Sequence, residues 1–194
     1  MKETTQDRRT RKTRKLYENA LITLLKTRDI NKITVTDISK MVNMNRGTFY
    51  IHYDNVYDLL ESIQNNLMTE FEQLTNLPPS EDKVFMFEAA FSRILQAVEF
   101  VDQNRELFTT LLNDKGSLIF VSRVKKLFSE KLLVNFSVAS SEVNKKYSGV
   151  FGSFFISGLI GVIQEWLDND PDISAFELAS IIHMLLKENI NNMR

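Results

Sequence analysis

Residues Met41 to Asn55 read MVNMNRGTFYIHYDN, and this short stretch gathers groups suited to a polyanion. Arg46, Thr48, Tyr50 and His52 can all donate hydrogen bonds, and they alternate with the rings of Phe49 and Tyr53. Helical periodicity sorts the mixture. Phe49 and Tyr53, four apart, fall on one face with Met44 and Ile38 as a small core, which leaves Arg46, Thr48, Tyr50 and His52 available outward. Arginine suits guanine edges or phosphate, while Thr, Tyr and His donate to phosphate oxygens and fix register. Gly47 lets the start of the helix come close to a nucleic-acid backbone, and a helix N-terminus adds attraction for phosphate. The competing reading is an ordinary short helix with every ring in the core.

The surrounding elements weigh against that competitor. Residues 1–10 read as a disordered basic arm. A helix follows from about Arg11 to Lys26, with Leu16, Ala20, Leu21, Leu24 and Leu25 at helical spacing. The segment ITVTDISKMV then opens a second helix with Thr34 as N-cap, Asp37 three residues on, and Ile33 placed to staple onto Ile38. Asn43 stands where the chain must turn and tolerates a left-handed backbone. Asn45 caps a third helix from Arg46 to about Tyr53. Three short helices with a tight turn between the second and third are the layout of a helix-turn-helix reader of double-stranded DNA.

From Asp54 a long helix runs to the break at LPPS, residues 77–80, with Leu60, Ile63, Leu67, Phe71 and Leu74 along one side. Further helices are expected at about 82–102, 104–113, 117–137, 143–168 and 174–191, the last capped by Ser174. No stretch reads as a strand. The expected fold is all-α, with a helix-turn-helix domain over 11–53 and a C-terminal helical bundle over 54–194.

Charge follows the same division. Residues 1–53 hold twelve Lys/Arg against five Asp/Glu, a net of +7; the remainder holds twelve against twenty, a net of −8, which together give the overall −1. Such asymmetry suits a basic end that meets a polyanion. Zero cysteines exclude disulfides and thiolate metal sites, and with no secretory signal at the start the expected location is cytoplasmic.

Enzymatic chemistry finds little support. His52 and His183 are far apart, no glycine-rich phosphate loop or nucleophile elbow occurs, and no ligand pair has metal spacing. No catalytic residue, metal or cofactor is expected. Tyr147 to Gln164 is uncharged for eighteen residues, at the short limit for a membrane span. Its Gly149, Ser153, Ser157 and Gly161 stand at four-residue steps, which permits close helix packing in a membrane or a soluble interface alike; the short run, with no other segment approaching it, favours the soluble reading. Thirteen of the fourteen phenylalanines follow residue 53, as core or as the lining of an apolar effector pocket.

The segment ITVTDISKMVNMNRGTFYIHYDNVYDLL resembles the DNA-binding signature of TetR-type transcriptional regulators, above all in the aromatic TFYIHY. FFISGLIGVIQEWLDNDPDISAFELASIIHMLL is similar to the C-terminal region of a subgroup linked to dihydroxyacetone kinase regulators. The resemblance implies a homodimer joined by a four-helix bundle of the last two helices, a palindromic operator, and a small-molecule or protein effector that releases a repressor. It places DNA contacts on Thr34 and Thr36 at the second helix start, and on Arg46, Gly47, Thr48, Tyr50 and His52. Two positions depart from the family: Asn43 where glycine is usual, and Val56 where a phosphate-holding lysine is common. The basic arm could compensate for that lysine by counterion release. The alternative function is a helical protein-interaction module that keeps the head but has lost sequence-specific DNA binding.

Overall fold

The computed structural model describes residues 5–75, 83–113, 120–126, 142–169 and 172–192. Among them there is no strand. The helices are α1 (Thr5–Leu25), α2 (Val35–Met41), α3 (Arg46–Tyr50), α4 (Val56–Thr75), α5 (Lys83–Gln103), α6 (Arg105–Asn113), a helical stretch over 120–126 (α7), α8 (Glu142–Asp168) and α9 (Ala175–Asn192), with a 3-10 turn at Ile30–Lys32. The all-α expectation holds. The break at 77–80 and most of the helix expected over 117–137 lie outside the described residues.

Two compact units make up the chain: one is Met1–Leu67, the other takes in Met68–Asn113 and Ser117–Arg194. The sequence reading set its boundary at residue 53, whereas the first unit runs on through the first three turns of α4. Val56, Leu59, Ile63 and Leu67 of those turns are all buried, so they belong to a core rather than to a free connecting rod.

In the first unit, α1 begins at Thr5, six residues before the expected Arg11, so residues 5–10 are helical and not a disordered arm. No Gly or Pro interrupts them, and Asp7 in the first turn complements the helix dipole. The buried stripe of α1 is Tyr17, Ala20, Leu21, Leu24 and Leu25, while Leu16 is exposed. A stripe at 17, 21 and 24 follows the helical repeat as well as one starting at 16 does, and a fully buried tyrosine takes the place assigned to leucine. On α4, similarly, Leu59 is buried and Leu60 is only partly so.

The capping and turn signals around α2 and α3 are realised, although α3 ends at Tyr50 rather than near Tyr53. Thr34 caps α2 in a reciprocal box: its Oγ accepts from the Asp37 amide at 3.2 Å, and an Asp37 carboxylate oxygen accepts from the Thr34 amide at 2.9 Å and hydroxyl at 2.6 Å. Ile33 and Ile38, the staple pair, are both buried. Asn43 has φ 53°, and around it the Met44 amide donates to Ser39 carbonyl and the Asn43 amide to Lys40 carbonyl. That pair of bonds is a Schellman ending, in which the left-handed residue satisfies the last carbonyls of the helix.

The Thr34 hydrogen bonds, with Arg28 3.7 Å away, hold the Asp37 carboxyl below the usual carboxylate range. A depressed folded-state pKa means that the unfolded chain binds more protons in acid. The stabilisation from Asp37 is therefore complete above about pH 3.9, the ordinary aspartate value, and is lost as pH falls through the lowered folded value. Urea midpoints measured against pH should fall less steeply in that acid range for Asp37→Asn than for the parent, and parallel curves would count against the box as a contributor.

In the second unit α5 packs on α9 and α6 on α8. Ser174 and Glu177 form a second capping box at the start of α9, with Ser174 amide to Glu177 carboxylate at 2.8 Å and the return bond at 3.2 Å. Arg105 donates to the Trp166 carbonyl at 3.0 Å, and its guanidinium lies 4.6 Å from the Trp166 ring centre, a cation at the C-terminal end of α8. Trp166 is buried and donates its ring N–H to Ile173 carbonyl at 2.9 Å, which pins the turn into α9. Rings of Phe71, Phe100, Phe108 and Phe120 follow one another at 6.3, 5.9 and 6.4 Å between centres. Phe108 and Phe120 are buried core. None of the described helices is long and apolar enough to cross a membrane.

Candidate nucleic-acid interface

Presentation of α3 starts from the aromatic cluster behind it. Phe49, fully buried, meets Tyr17 edge-on at 5.2 Å and Tyr53 at 5.7 Å, and Tyr53 is itself buried. Tyr17 was absent from the sequence-based core, although its spacing from Leu21 and Leu24 is the usable signal. With those rings inward, the opposite side of α3 faces solvent. Asn45 caps its start, Oδ1 accepting from the Gly47 amide at 2.9 Å.

The expected contact residues divide by exposure. Arg46 and Gly47 are exposed, and Tyr50 is half exposed with its ring edge-on to Phe49 at 5.7 Å. Thr48 and His52 lie on the flank of the helix and are partly covered. Burial, and secondarily the Arg14 charge, push the His52 pKa down, so at neutral pH its ring is uncharged. Its ring lies 6.3 Å from that of Tyr17. Thr34 is exposed and Thr36 partly so, both in the first turn region of α2. The Thr34 hydroxyl already donates to Asp37, so its remaining capacity is as an acceptor. Thr34 and Thr36 thus share one helix start, and the other five residues share α3 and its C-terminal end.

The first unit carries exposed positive charge on α1, the 3-10 turn and α2. Arg8, Arg9, Arg11, Lys12 and Lys15 are exposed along α1, as are Lys32 and Lys40 further on. Arg14 is held over the Tyr53 ring at 5.6 Å. Val56 is buried, and α4 begins on its own caps: Asn55 Oδ1 accepts from the Tyr57 amide at 2.8 Å and the Asp58 amide at 3.0 Å, while Asp58 takes the Asp54 amide at 2.9 Å. Tyr57, unremarked in the sequence reading, donates its hydroxyl to Asn31 Oδ1 at 2.5 Å and ties the start of α4 to the 3-10 turn.

Gly47 has no internal reason to be glycine. Its φ is not positive, and a Cβ built there would meet only Asn45 Oδ1, at an ordinary 3.6 Å. Gly47→Ala should therefore stabilise the first unit by a few tenths to about 1 kcal/mol, the cost of glycine in a helix. If the absent side chain makes room for a DNA backbone or base edge, the same change should weaken operator binding by about 1–3 kcal/mol, the usual cost of an extra methyl in a close contact. Melting curves and operator titrations on one preparation would test both, and higher stability with unchanged affinity would remove Gly47 from the interface.

A capped helix, a left-handed turn and a short helix held outward by rings define a helix-turn-helix head. The remainder of the chain carries its own match: residues 88–188 fit the family model of a transcriptional regulator C-terminal region. The protein belongs to the TetR-type transcriptional regulators. It is 34% identical over 172 residues to the uncharacterised helix-turn-helix-type transcriptional regulator YxbF of Bacillus subtilis (strain 168), a match that spans 88% of this chain and 44% of the relative. The chain thus spans less than half of that relative's length. Among solved structures, a TetR transcriptional regulator from Streptococcus agalactiae 2603V shares the fold with a TM-score of 0.64 at 22% identity, over 93% of this chain and 97% of that one. The dihydroxyacetone kinase operon activator DhaS does so at 0.61 and 19%, over 94% and 98%. Family members and fold neighbours alike are transcriptional regulators, not enzymes.

Proposed function

We propose that this regulator is a cytoplasmic homodimer that represses transcription by reading a palindromic operator through two copies of α3 set about one DNA turn apart. The observation that carries the reading is the outward face of α3, where Arg46, Gly47 and Tyr50 stand exposed over a core of Phe49, Tyr17 and Tyr53. Arg46 takes guanine or phosphate, and Tyr50, Thr48 and His52 take phosphate oxygens. Thr36 meets the backbone at the start of α2, and Thr34, whose amide and hydroxyl are both given to Asp37, approaches it by packing alone. Repression follows if the operator overlaps the promoter.

Dimerisation is supported by the second unit. Val150 and Phe154 on α8 are 71% and 74% exposed, and a Cβ at Gly149, Gly158 or Gly161 would meet nothing within 4 Å. On α9, Phe176, Met184 and Leu185 are exposed as well. Two helices per chain with such faces suit a four-helix bundle between copies. A small-molecule or protein effector bound within residues 54–194 then releases the operator, with α4 as the lever that carries the chain from the first unit into the second. Such release is a population shift, and it requires the effector to prefer one spacing of the heads.

Selection from random duplex DNA tests the reading, with the parent run beside an Arg46→Ala, Tyr50→Ala variant and the enriched sites titrated at two salt concentrations. An inverted repeat enriched by the parent alone, with affinity falling steeply as salt rises, is the expected result. No enrichment would favour the protein-interaction module instead.

A further inference from the structure

From the position of one side chain we infer that Ile51 reads the operator by apolar contact with the 5-methyl group of a thymine in each half-site. The inference rests on the DNA-binding reading above. Ile51 is the C-cap of α3 with φ −71° and ψ −23°, so it continues the helical phase. At about 100° per residue, Arg46, Gly47, Tyr50 and Ile51 fall on one continuous side of the helix. All four are exposed, whereas Phe49, turned away from them on the same helix, is buried.

Ile51 is 77% exposed, more than any other large apolar side chain among the described residues. A lone exposed isoleucine is unexceptional on most surfaces. Here it shares its face with an arginine and a tyrosine, and it lies one turn beyond Gly47. Helical side chains lean toward the preceding turn, so the neighbour below residue 51 is position 47, which carries no side chain. The open space beside Gly47 is not required by backbone conformation or by packing within the protein. Ile51 thus stands out on this face above a position that Gly47 leaves open, where a Cβ would meet only Asn45 Oδ1, at 3.6 Å.

Isoleucine has no donor or acceptor, so it cannot read the hydrogen-bonding code of the major groove. The one apolar group that an unmodified base pair displays there is the thymine methyl. An exposed isoleucine above an open position, on a face with Arg46, suits that group.

The test begins with the site enriched by the parent protein. Each symmetry-related pair of thymines is replaced in turn by deoxyuridine, which removes the methyl and keeps every hydrogen-bonding group. One pair should cost the parent about tenfold in affinity, from loss of a buried methyl in both half-sites. Ile51→Ala and Ile51→Ser, at a position too exposed to threaten folding, should bind the thymine and deoxyuridine operators equally. Gly47→Ala should lose the same discrimination by filling the open position below Ile51. An operator whose deoxyuridine versions all bind the parent equally, or an Ile51→Ala protein that still discriminates, would overturn this inference and leave the DNA-binding reading standing. Failure to enrich any site would sink both.

Discussion

Phe154→Glu is expected to turn the dimer into monomers and to reduce operator affinity by roughly 10²- to 10⁴-fold, because each half-site would then be bound without the effective concentration that linkage supplies. Phe154 is 74% exposed on the isolated chain, so the charge meets water there and α8 should keep its helicity. Between two copies the same carboxylate would be taken out of water among apolar side chains, at a desolvation cost of several kcal/mol with no partner to offset it. The stripe of Gly149, Ser153, Ser157 and Gly161 leaves room for a second helix to approach closely, which makes a long charged side chain harder to accommodate. Sedimentation equilibrium beside operator titration reads the outcome. A variant that stays dimeric would remove α8 from the interface.

The second large effect belongs to Phe49. Phe49→Ala should destabilise the first unit by about 3–5 kcal/mol, the range for truncating a fully buried phenylalanine. Part of that loss comes from its ring contacts with Tyr17, Tyr50 and Tyr53, all within 5.7 Å, and such pairs contribute about 0.5–1.5 kcal/mol each beyond area burial. Set against a typical domain stability of about 5–15 kcal/mol, the change approaches the whole margin of a small head. The two units have separate cores, so the expected melt is biphasic: the first unit unfolds early, the second keeps its helicity, and operator binding is lost. Phe49→Leu, which retains apolar volume, should recover much of the loss. A single transition at the parent temperature for Phe49→Ala would show that the ring cluster does not hold the head.

These two variants separate the parts of the protein. One leaves each head intact and removes the pairing, and the other leaves the pairing surface intact and removes the head. On the proposed reading Gly47→Ala falls between them, keeping the fold and the pairing while blocking the face of α3.

The features legible in the amino-acid order are those whose partners lie within about five residues. The Thr34–Asp37 and Ser174–Glu177 boxes, the left-handed Asn43 and the Asn45 cap are all of this kind. Each is decided by side-chain chemistry at a helix end, where orphan amides and carbonyls accept few solutions. The inward place of Phe49 and Tyr53 was equally readable, because a four-residue step fixes a shared face whatever the rest of the chain does.

What lay beyond the sequence was a choice among equivalent phases and distant partners. Nothing local distinguishes a stripe through Leu16 from one through Tyr17, and the contact between Tyr17 and Phe49 joins residues 32 positions apart. The same holds for Leu59 against Leu60, for the extent of α4 in the first core, and for Arg105 reaching the end of α8. Periodicity identifies the helix and the width of its apolar face, but the packing of other helices against it selects which residues that face contains. The capped helix starts and the turn at Asn43 were therefore written in the chain order, whereas the ring cluster behind α3, and the exposure of Ile51 upon it, came only with the tertiary structure.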